Sequence, residues 1–288
     1  MTTAQLGEIA SIVRGIAFPK EDKRAEPLPG HVACLRTTNV QRTVEWEDLW
    51  FVPEKHVKRD EQLVRSGDIL ISTANSYELV GKVAPVVGIP HKATLGAFIS
   101  LIRPNERVEP KFLYYQLAWG KTQSRIRETA STTTNISNVS TKKLLTLEMF
   151  TPPLEAQREI VSELEKQFSR LDEAVANLQR VKANLKRYKA SVLSEFFDSK
   201  VSGWRKCQLK TVCQVISGFA FKSTDFSRDG VPVVKIANIG YGEFHWKDQE
   251  YLPSSFLESQ RAFAIQPCDL LMALTRPITN GTLKVSHL

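Results

Sequence analysis

The stretch TPPLEAQREIVSELEKQFSRLDEAVANLQRVKANLKRYKASVLSEFFDSK, residues 151–200, decides how this chain is organised. After Pro153 it contains no glycine or proline, and apolar residues recur at spacings of three, four or seven, along one narrow stripe of a helix. The stripe consists of Leu154, Val161, Leu164, Phe168, Leu171, Val175, Leu178, Leu185 and Val192. At about 1.5 Å per residue the helix would be roughly 65–70 Å long, longer than a small domain is wide. We interpret the segment as a spacer between two units, and its stripe as a seam for a partner helix.

Charge is distributed unevenly along this segment. Six acids stand against three bases between Glu155 and Glu173, whereas the residues from Ala176 to Ser194 include five bases and no acid. Two such helices laid antiparallel would bring acidic halves against basic halves. Simple matching of charges to the helix dipole, worth a few tenths of a kcal/mol for each charge, explains the same pattern. The stripe favours a partner helix, and the charges favour an antiparallel one.

Composition excludes several classes of protein. The chain has 288 residues, of which 42% are hydrophobic and 24% charged, which is ordinary for a soluble protein of up to two domains. No apolar run is long enough to span a membrane, and the N-terminus lacks the layout of a signal peptide, so we expect a cytoplasmic protein. The net charge of +8 is compatible with a nucleic-acid partner but is also common in proteins that bind none.

Motifs for catalysis, metal binding or cofactor binding are missing from the sequence. There is no phosphate-binding loop, dinucleotide-binding loop or nucleophile elbow, and the histidines are scattered. Asp68 and Asp269 follow turns, where capping roles are more common than catalytic ones. The four cysteines show no zinc-site spacing, which favours buried free thiols. We therefore predict no catalytic residue, no metal and no cofactor.

The region before the helix, residues 1–150, reads as a mixed unit in which strands are the majority. Apolar runs bounded by turn residues predict strands at 32–35, 69–71, 83–87 and 98–102. A helical pattern occurs at 111–127, a polar surface loop is expected at 131–140, and residues 144–150 read as a closing strand.

An internal repeat follows the helix. Residues 209–221, LKTVCQVISGFAF, match residues 6–18, LGEIASIVRGIAF, and further matches pair 233–239 with 34–40 and 268–271 with 67–70. The second copy, residues 201–288, has no counterpart to the residues that follow Val83 in the first copy. We expect either that the second unit is poorly ordered or that another chain completes it. The predicted fold class is α+β, with a β-rich first unit, a long coiled-coil-like helix and a partial second copy.

Three polar clusters in the first unit carry side chains that can pair with base edges and phosphates. A solvated loop is the more common explanation for any one of them, but three clusters in one unit of a basic protein favour nucleic-acid binding. The candidate DNA-binding residues are Arg36, Thr37, Thr38, Asn39, Gln41 and Arg42 in the first cluster, Ser72, Asn75, Ser76, Tyr77 and Lys82 in the second, and Arg125, Arg127, Thr134 and Asn135 in the third.

Several of these segments resemble a known family. The run PPLEAQREIV at 152–161, the Asn135-Ile136-Ser137 segment, GDILIS at 67–72 and the duplicated layout are together similar to the DNA-specificity subunit of type I restriction-modification enzymes. The resemblance implies a non-catalytic adapter with target-recognition domains at 1–150 and 201–288, each reading one half of a split site in double-stranded DNA, joined by the spacer helix at 151–200. It also implies methyltransferase subunits that modify adenine, and a restriction subunit, as partners.

The departure from the family pattern is the missing remainder of the second recognition domain and the second helix. We expect either a truncated product or a half-subunit that forms a homodimer through antiparallel pairing of the spacer helix. Two other classes remain open. One is a methyltransferase fused to its own recognition domain, which the missing cofactor and base-flipping motifs disfavour. The other is a coiled-coil scaffold whose flanking units bind protein.

Overall fold

A computed structural model describes residues 2–133, 136–198, 203–275, 278–279 and 282–288. By internal contacts the chain divides into two compact units, Met1–Ser191 and Val192–Leu288. Both contain helices and strands, which confirms the α+β prediction. The finer division at residues 150 and 200 stays a prediction. None of the described helices has the length and apolar character needed to cross a membrane.

Among the described residues, the first unit contains twelve strands and four α-helices, and a fifth helix begins in it and continues past Ser191. The strands are β1 (Thr3–Gln5), β2 (Ala10–Arg14), β3 (His31–Leu35), β4 (Trp50–Pro53), β5 (Ile69–Ser72), β6 (Ala74–Asn75), β7 (Val83–Pro85), β8 (Ala93–Leu95), β9 (Ile99–Pro104), β10 (Ala130–Thr133), β11 (Ile136–Val139) and β12 (Glu148–Phe150). The helices are α1 (Leu6–Ile9), α2 (Pro110–Ala118), α3 (Gly120–Glu128), α4 (Thr141–Leu145) and α5 (Leu154–Asp198). The strands predicted at the four apolar runs are present as β3, β5, β7 and β9.

A four-stranded antiparallel sheet with the order β2-β9-β5-β7 forms the centre of the first unit. Successive side chains of a strand point to opposite faces, and both faces of this sheet are covered. Ile69 and Ile71 of β5 pack with Leu113 and Leu117 of α2. Leu70, between them, packs in a separate cluster with residues of a second sheet, β4-β3-β8, in which β3 and β8 run parallel. Burial on both faces explains why β5 is an unbroken apolar run.

Three predicted elements of the first unit are wrong in detail. The helix expected at 111–127 is two helices, because the extended backbone of Trp119 (φ −64°, ψ 135°) separates α2 from α3. The loop expected at 131–140 forms the hairpin β10–β11, which pairs with β6. The strand expected at 144–150 is shorter, because Ser140 caps the helix α4 and only β12 pairs with β1.

The prediction of buried thiols holds for one cysteine only. Cys34 lies in the core on β3, where burial raises the pKa of its thiol to about 12. Cys207, Cys213 and Cys268, all in the second unit, are exposed. The prediction fails for these three because that unit has little interior in which to place them.

The second unit contains β13 (Val231–Val233), β14 (Glu250–Leu252), α6 (Ser255–Ser259), β15 (Leu270–Met272), β16 (Ile278–Thr279), β17 (Thr282–Leu283) and β18 (Val285–His287). Its strands form three separate pairs, β13–β14, β15–β18 and β16–β17. Within the described part of this unit, the buried apolar side chains are Ile239, Leu252 and Ala273. Val215 and Leu270, by contrast, are 68% and 76% exposed.

Candidate nucleic-acid interface

Asn39 organises the first polar cluster from inside. It is 2% exposed, its Oδ1 accepts a hydrogen bond from Arg36 N at 2.8 Å, and its Nδ2 donates to the carbonyl oxygens of Glu45 and Glu47 at 3.0 and 2.9 Å. These three bonds hold the short turn Thr37–Asn39 after β3 against the loop that leads to β4. All three bonds are to the protein's own backbone, so Asn39 shapes the loop, and its side-chain amide is not available for hydrogen bonds to a DNA base.

The same turn is built in the second unit. Asn238 accepts from Lys235 N at 2.8 Å and donates to the carbonyl oxygens of His245 and Lys247 at 2.9 and 2.8 Å. The loop that follows contains a non-glycine residue with positive φ in both units, Asp48 (φ 49°) and Asp248 (φ 50°). The two copies therefore share a backbone frame at this position as well as a sequence pattern.

Arg36 is held by neighbours within the first cluster. Its Nη2 donates to the carbonyl oxygen and to the Oδ2 of Asp48, both at 2.5 Å, and its guanidinium carbon lies 4.4 Å from the centroid of the Trp50 ring. Its Nε is buried and has no hydrogen-bond partner in the part of the chain that the structure describes. Because the side chain is only 19% exposed, Arg36 offers little free surface to a phosphate.

The structure joins the first cluster to the second. Lys82 Nζ donates to Gln41 Oε1 at 2.6 Å, across 41 positions of sequence. Asn75 Nδ2 donates to the buried Ser72 Oγ at 3.3 Å, and Asn75 Oδ1 accepts from Ser76 N. Tyr77, which follows, is 54% exposed. Ser72 thus supports the loop from below, whereas Tyr77 is the member of the cluster most open to a ligand.

Strand pairing joins the second cluster to part of the third. Asn75 of β6 pairs with Ser137 of β11, and Thr132 and Ser137 share a hydrogen bond of 2.8 Å between their hydroxyls. Thr134 and Asn135 lie outside the described residues. A polar surface therefore runs from Gln41 through Lys82 and Asn75 to the β10–β11 hairpin, and we call it the polar surface.

Two predicted arginines make contacts elsewhere in the first unit. Arg125 Nη1 donates to the carbonyl oxygen of Glu148 on β12 at 3.1 Å. Arg42 forms a two-bond ion pair with Asp172 of α5, at 3.2 and 3.0 Å, and these bonds raise the pKa of Arg42. Arg127 is half-buried on α3. Arg42 thus connects the first cluster to the long helix, although its guanidinium stays 72% exposed.

The first turns of α5 are fixed to the first unit by polar side chains outside the apolar stripe. Gln157 is fully buried, its Oε1 accepts from Glu109 N at 2.8 Å, and its Nε2 donates to the carbonyl oxygens of Pro152 and Arg107 at 2.7 and 3.2 Å. Further along the helix, Lys111 pairs with Glu165 at 2.5 Å. These contacts attach the helix at its first turn and again about two turns further along.

The predicted seam is divided by these attachments. Val161 is buried, Leu164 is half-buried, and the ring of Phe168 lies 5.6 Å from that of Tyr115 on α2. Beyond them the seam is open, with exposures of 60% for Leu171, 52% for Val175, 68% for Leu178 and 62% for Leu185, while Val192 is half-buried. The first part of the stripe is thus occupied by the chain itself.

A cleft of about 440 Å³ near Arg36 contains residues that sequence reasoning missed, among them Lys23, Trp50 and Phe98. For Lys23 and Trp50 the sequence signal was that the second copy has different residue types, Phe226 and Glu250, at the matching positions, whereas Phe98 has no counterpart there. No group of three or more histidine, cysteine or acidic residues that could hold a metal ion occurs in the described ranges.

Comparisons with known proteins agree with one another. Residues 1–186 match the family model described as type I restriction modification DNA specificity domain. The chain is 25% identical over 255 residues to the type I restriction enzyme MjaVIII specificity subunit of Methanocaldococcus jannaschii. This alignment covers 82% of this chain and 57% of that protein. It is 22% identical over 280 residues to the type I restriction enzyme EcoKI specificity subunit of Escherichia coli, in an alignment that covers 93% of this chain and 60% of that protein. The chain thus spans somewhat more than half the length of these relatives.

Solved structures show the same fold. The crystal structure of the HsdS subunit from Thermoanaerobacter tengcongensis superposes with a TM-score of 0.54 at 20% identity, over 100% of this chain and 71% of that one. A chain from a study of complex assembly and conformational transition of the type I R-M system superposes with a TM-score of 0.53 at 21% identity, over 67% of this chain and 45% of that one.

Proposed function

Because this chain belongs to the family of type I restriction modification DNA specificity domains, we propose that it is a sequence-specific DNA-binding subunit without catalytic activity of its own. In this proposal it recognises a split target in double-stranded DNA and docks methyltransferase subunits, which modify adenine, and a restriction subunit. The target sequence is read by loops of the two units, and α5 carries the connection between them.

The polar surface of the first unit is the observation that carries the proposal. Its hydroxyl, amide and ammonium groups lie side by side although they come from segments far apart in sequence, as the bonds from Lys82 to Gln41 and from Thr132 to Ser137 illustrate. Groups of this kind contact phosphates and base edges in DNA complexes. The turn shared by Asn39 and Asn238 supports the idea that two similar units read two half-sites.

Pairing of two copies through α5 is the second part of the proposal. The open part of the seam, from Leu171 to Leu185, is where a second helix would pack. Two acids of α5 are less available to the bases of a second helix, because Glu165 already pairs with Lys111 and Asp172 with Arg42. This weakens the electrostatic argument for an antiparallel pair. Apolar burial along the open seam is therefore the main driving force in this proposal.

Salt-dependent binding tests the DNA-binding function. The full chain is combined with methyltransferase subunits, and binding to duplex DNA is measured by fluorescence anisotropy between 50 and 200 mM salt. Neutralised phosphates release counterions, so a complex with six to ten phosphate contacts loses roughly 10³- to 10⁵-fold in affinity over this range. Absent binding, or binding that does not change with salt, contradicts the function and favours a scaffold that binds protein. Methyl transfer by the chain alone would instead favour an enzyme.

A matched pair of variants refines the same measurement. Lys82→Met removes one ammonium from the polar surface, and Lys58→Met removes an exposed ammonium outside it. We expect the slope of log affinity against log salt to fall by about one in Lys82→Met and to stay unchanged in Lys58→Met. An unchanged slope in both variants would contradict the assignment of Lys82 and leave the function itself standing.

A further inference from the structure

The cleft beside Arg36 in the first unit combines an aromatic wall with unpaired positive charge. Lys23 Nζ lies 3.5 Å from the centroid of the Trp50 ring. Phe98, in the turn between β8 and β9, also lines the cleft and is 62% exposed. Arg36 also stacks on Trp50, but its guanidinium already donates to Asp48. Lys20 and Lys23 both line the cleft, and neither has an ion-pair partner among the described residues. Of the two, Lys23 is the one that lies against the Trp50 ring.

The cleft borders the polar surface. Arg36 and Thr37, which line the cleft, belong to the first polar cluster. The carbonyl oxygen of Phe98 accepts hydrogen bonds from Thr73 N at 2.9 Å and Ala74 N at 3.1 Å, directly before Asn75 of the second cluster. The cleft therefore adjoins both the first and the second polar cluster.

Equivalent positions in the second unit have different chemistry on the same frame. Arg24 bridges to Phe51 just as Ser227 bridges to Tyr251, so Lys23 and Trp50 correspond to Phe226 and Glu250. Arg36 corresponds to Lys235, because each donates its backbone N–H to the asparagine of the shared turn.

Between the two copies the loop position changes from a cation to an aromatic ring and the strand position from an aromatic ring to a carboxylate, while the cation at Arg36 and Lys235 is kept. In the first unit the cations lie against the strand residue Trp50. In the second unit Lys235 lies 5.6 Å from the ring of the loop residue Phe226 and forms an ion pair with the strand residue Glu250. Because the frame is the same while these side chains differ, holding the frame does not require their particular chemistry.

The side chains at these positions in the first unit and those in the second unit suit different base edges. Lysine and arginine pair with the O6 and N7 acceptors of guanine, whereas glutamate accepts from the amino group of cytosine. The cleft of the first unit presents cationic donors and an aromatic ring, which fits an acceptor-rich edge. The second unit adds the carboxylate of Glu250, which fits an amino group.

We infer that the cleft is a base-reading element of the first unit, in which Lys23 is a specificity-determining residue for a guanine in duplex DNA. This inference rests on the proposed function and deepens it, because it names one base contact and the side chain that makes it. The equivalent positions Phe226, Lys235 and Glu250 give the second copy a different preference.

Selection from a randomised duplex pool tests the inference. The full chain with methyltransferase subunits is used as wild type, as Lys23→Met and as the matched control Lys58→Met. Methionine keeps the length and apolar contact of Lys23 with Trp50 but lacks the donor, so the fold is retained. We expect Lys23→Met to lower the preference for guanine roughly tenfold at one position of one half-site and to leave the other positions unchanged. Lys58→Met keeps the wild-type site.

Three results would overturn the inference. If Lys23→Met selects the same site as wild type, Lys23 reads no base. If Lys23→Met binds all sequences more weakly by the same factor, Lys23 contacts phosphate only. If the wild-type assembly enriches no sequence at all, the proposed function fails and this inference fails with it. The first two results, by contrast, overturn only the inference about Lys23.

Discussion

Asn39 and Asn238 are single residues on which a whole loop depends. Replacing Asn39 with alanine leaves the carbonyl oxygens of Glu45 and Glu47 and the backbone N–H of Arg36 without their side-chain partner in a part-buried site. Unsatisfied buried groups cost about 1–3 kcal/mol each, partly relieved by water, so we expect Asn39→Ala to lower the free energy of unfolding of the first unit by about 2–3 kcal/mol. Urea denaturation followed by circular dichroism measures this change.

Asn105→Ala is the matched control for that experiment. Asn105 also bonds to backbone, donating to the Glu8 carbonyl oxygen at 2.9 Å, but its site is exposed and water can replace it. We expect a loss under about 1 kcal/mol there. Equal losses in Asn39→Ala and Asn105→Ala would contradict the framing role of Asn39.

Gln157 connects the residue scale to the element scale, because it fixes the first turn of α5. Removing its side chain in Gln157→Ala breaks three bonds to the loop 105–109 and to Pro152. We expect faster amide hydrogen exchange at residues 107–112 and 154–161, since these bonds hold the two segments together. Gln167→Ala, which loses only a contact with Glu163 on the surface of the same helix, is expected to leave exchange there unchanged.

The open part of the helix seam makes a prediction about association. Leu178 and Leu185 are exposed on α5, and burying them against a second helix would release their apolar surface from water. We expect the isolated chain to have twice its 32.5 kDa mass at micromolar concentration, and Leu178→Asp to reduce the mass to that of one chain. Sedimentation equilibrium gives this mass.

Ala183→Asp supplies the control for association. Ala183 lies about 160° around the helix from Leu185, on the face away from the seam. It introduces the same charge into the same helix, so it should leave the dimer intact. A wild-type chain that stays monomeric, or a dimer unaffected by Leu178→Asp, would contradict pairing through the seam.

At the scale of the whole molecule, the two units differ in how much apolar surface they bury. The hairpins β3–β4 and β13–β14 have the same pairing, but Val32 and Val52 are 1% and 0% exposed, whereas Val231 is half-exposed. We expect amide protons of β13–β14 to exchange at least tenfold faster than those of β3–β4, because local opening is easier where fewer apolar contacts are lost. Hydrogen exchange of the isolated chain measures both hairpins together, and equal protection would contradict this expectation. The choice between poor order and completion by another chain stays a prediction.

Elements whose signals lie within a few neighbouring residues were predictable. The runs that became β3, β5, β7 and β9 are marked by apolar residues between turn residues, and the stripe of α5 by its spacing. The hairpin β10–β11 was missed because Ser, Thr and Asn are poor indicators of strands, and what makes them a sheet is pairing with β6, about sixty positions earlier.

The candidate site divides in the same way. Residue types suited to DNA contacts were visible in the sequence, but their roles depend on distant partners. Asn39 and Ser72 turned inward, Arg42 met Asp172 across 130 positions, and the cleft at Trp50 was assembled from segments that no local pattern connects.

By itself the sequence determined the family, the mixed fold, the long helix and the repeat, because periodicity and short motifs are local properties of the chain. Only the tertiary structure decided which polar side chains form hydrogen bonds within the protein, which part of the helix seam is already covered, and which side chains meet at the cleft. Burial and pairing depend on residues far apart in sequence, and their free energies are set only when the chain brings those residues into contact.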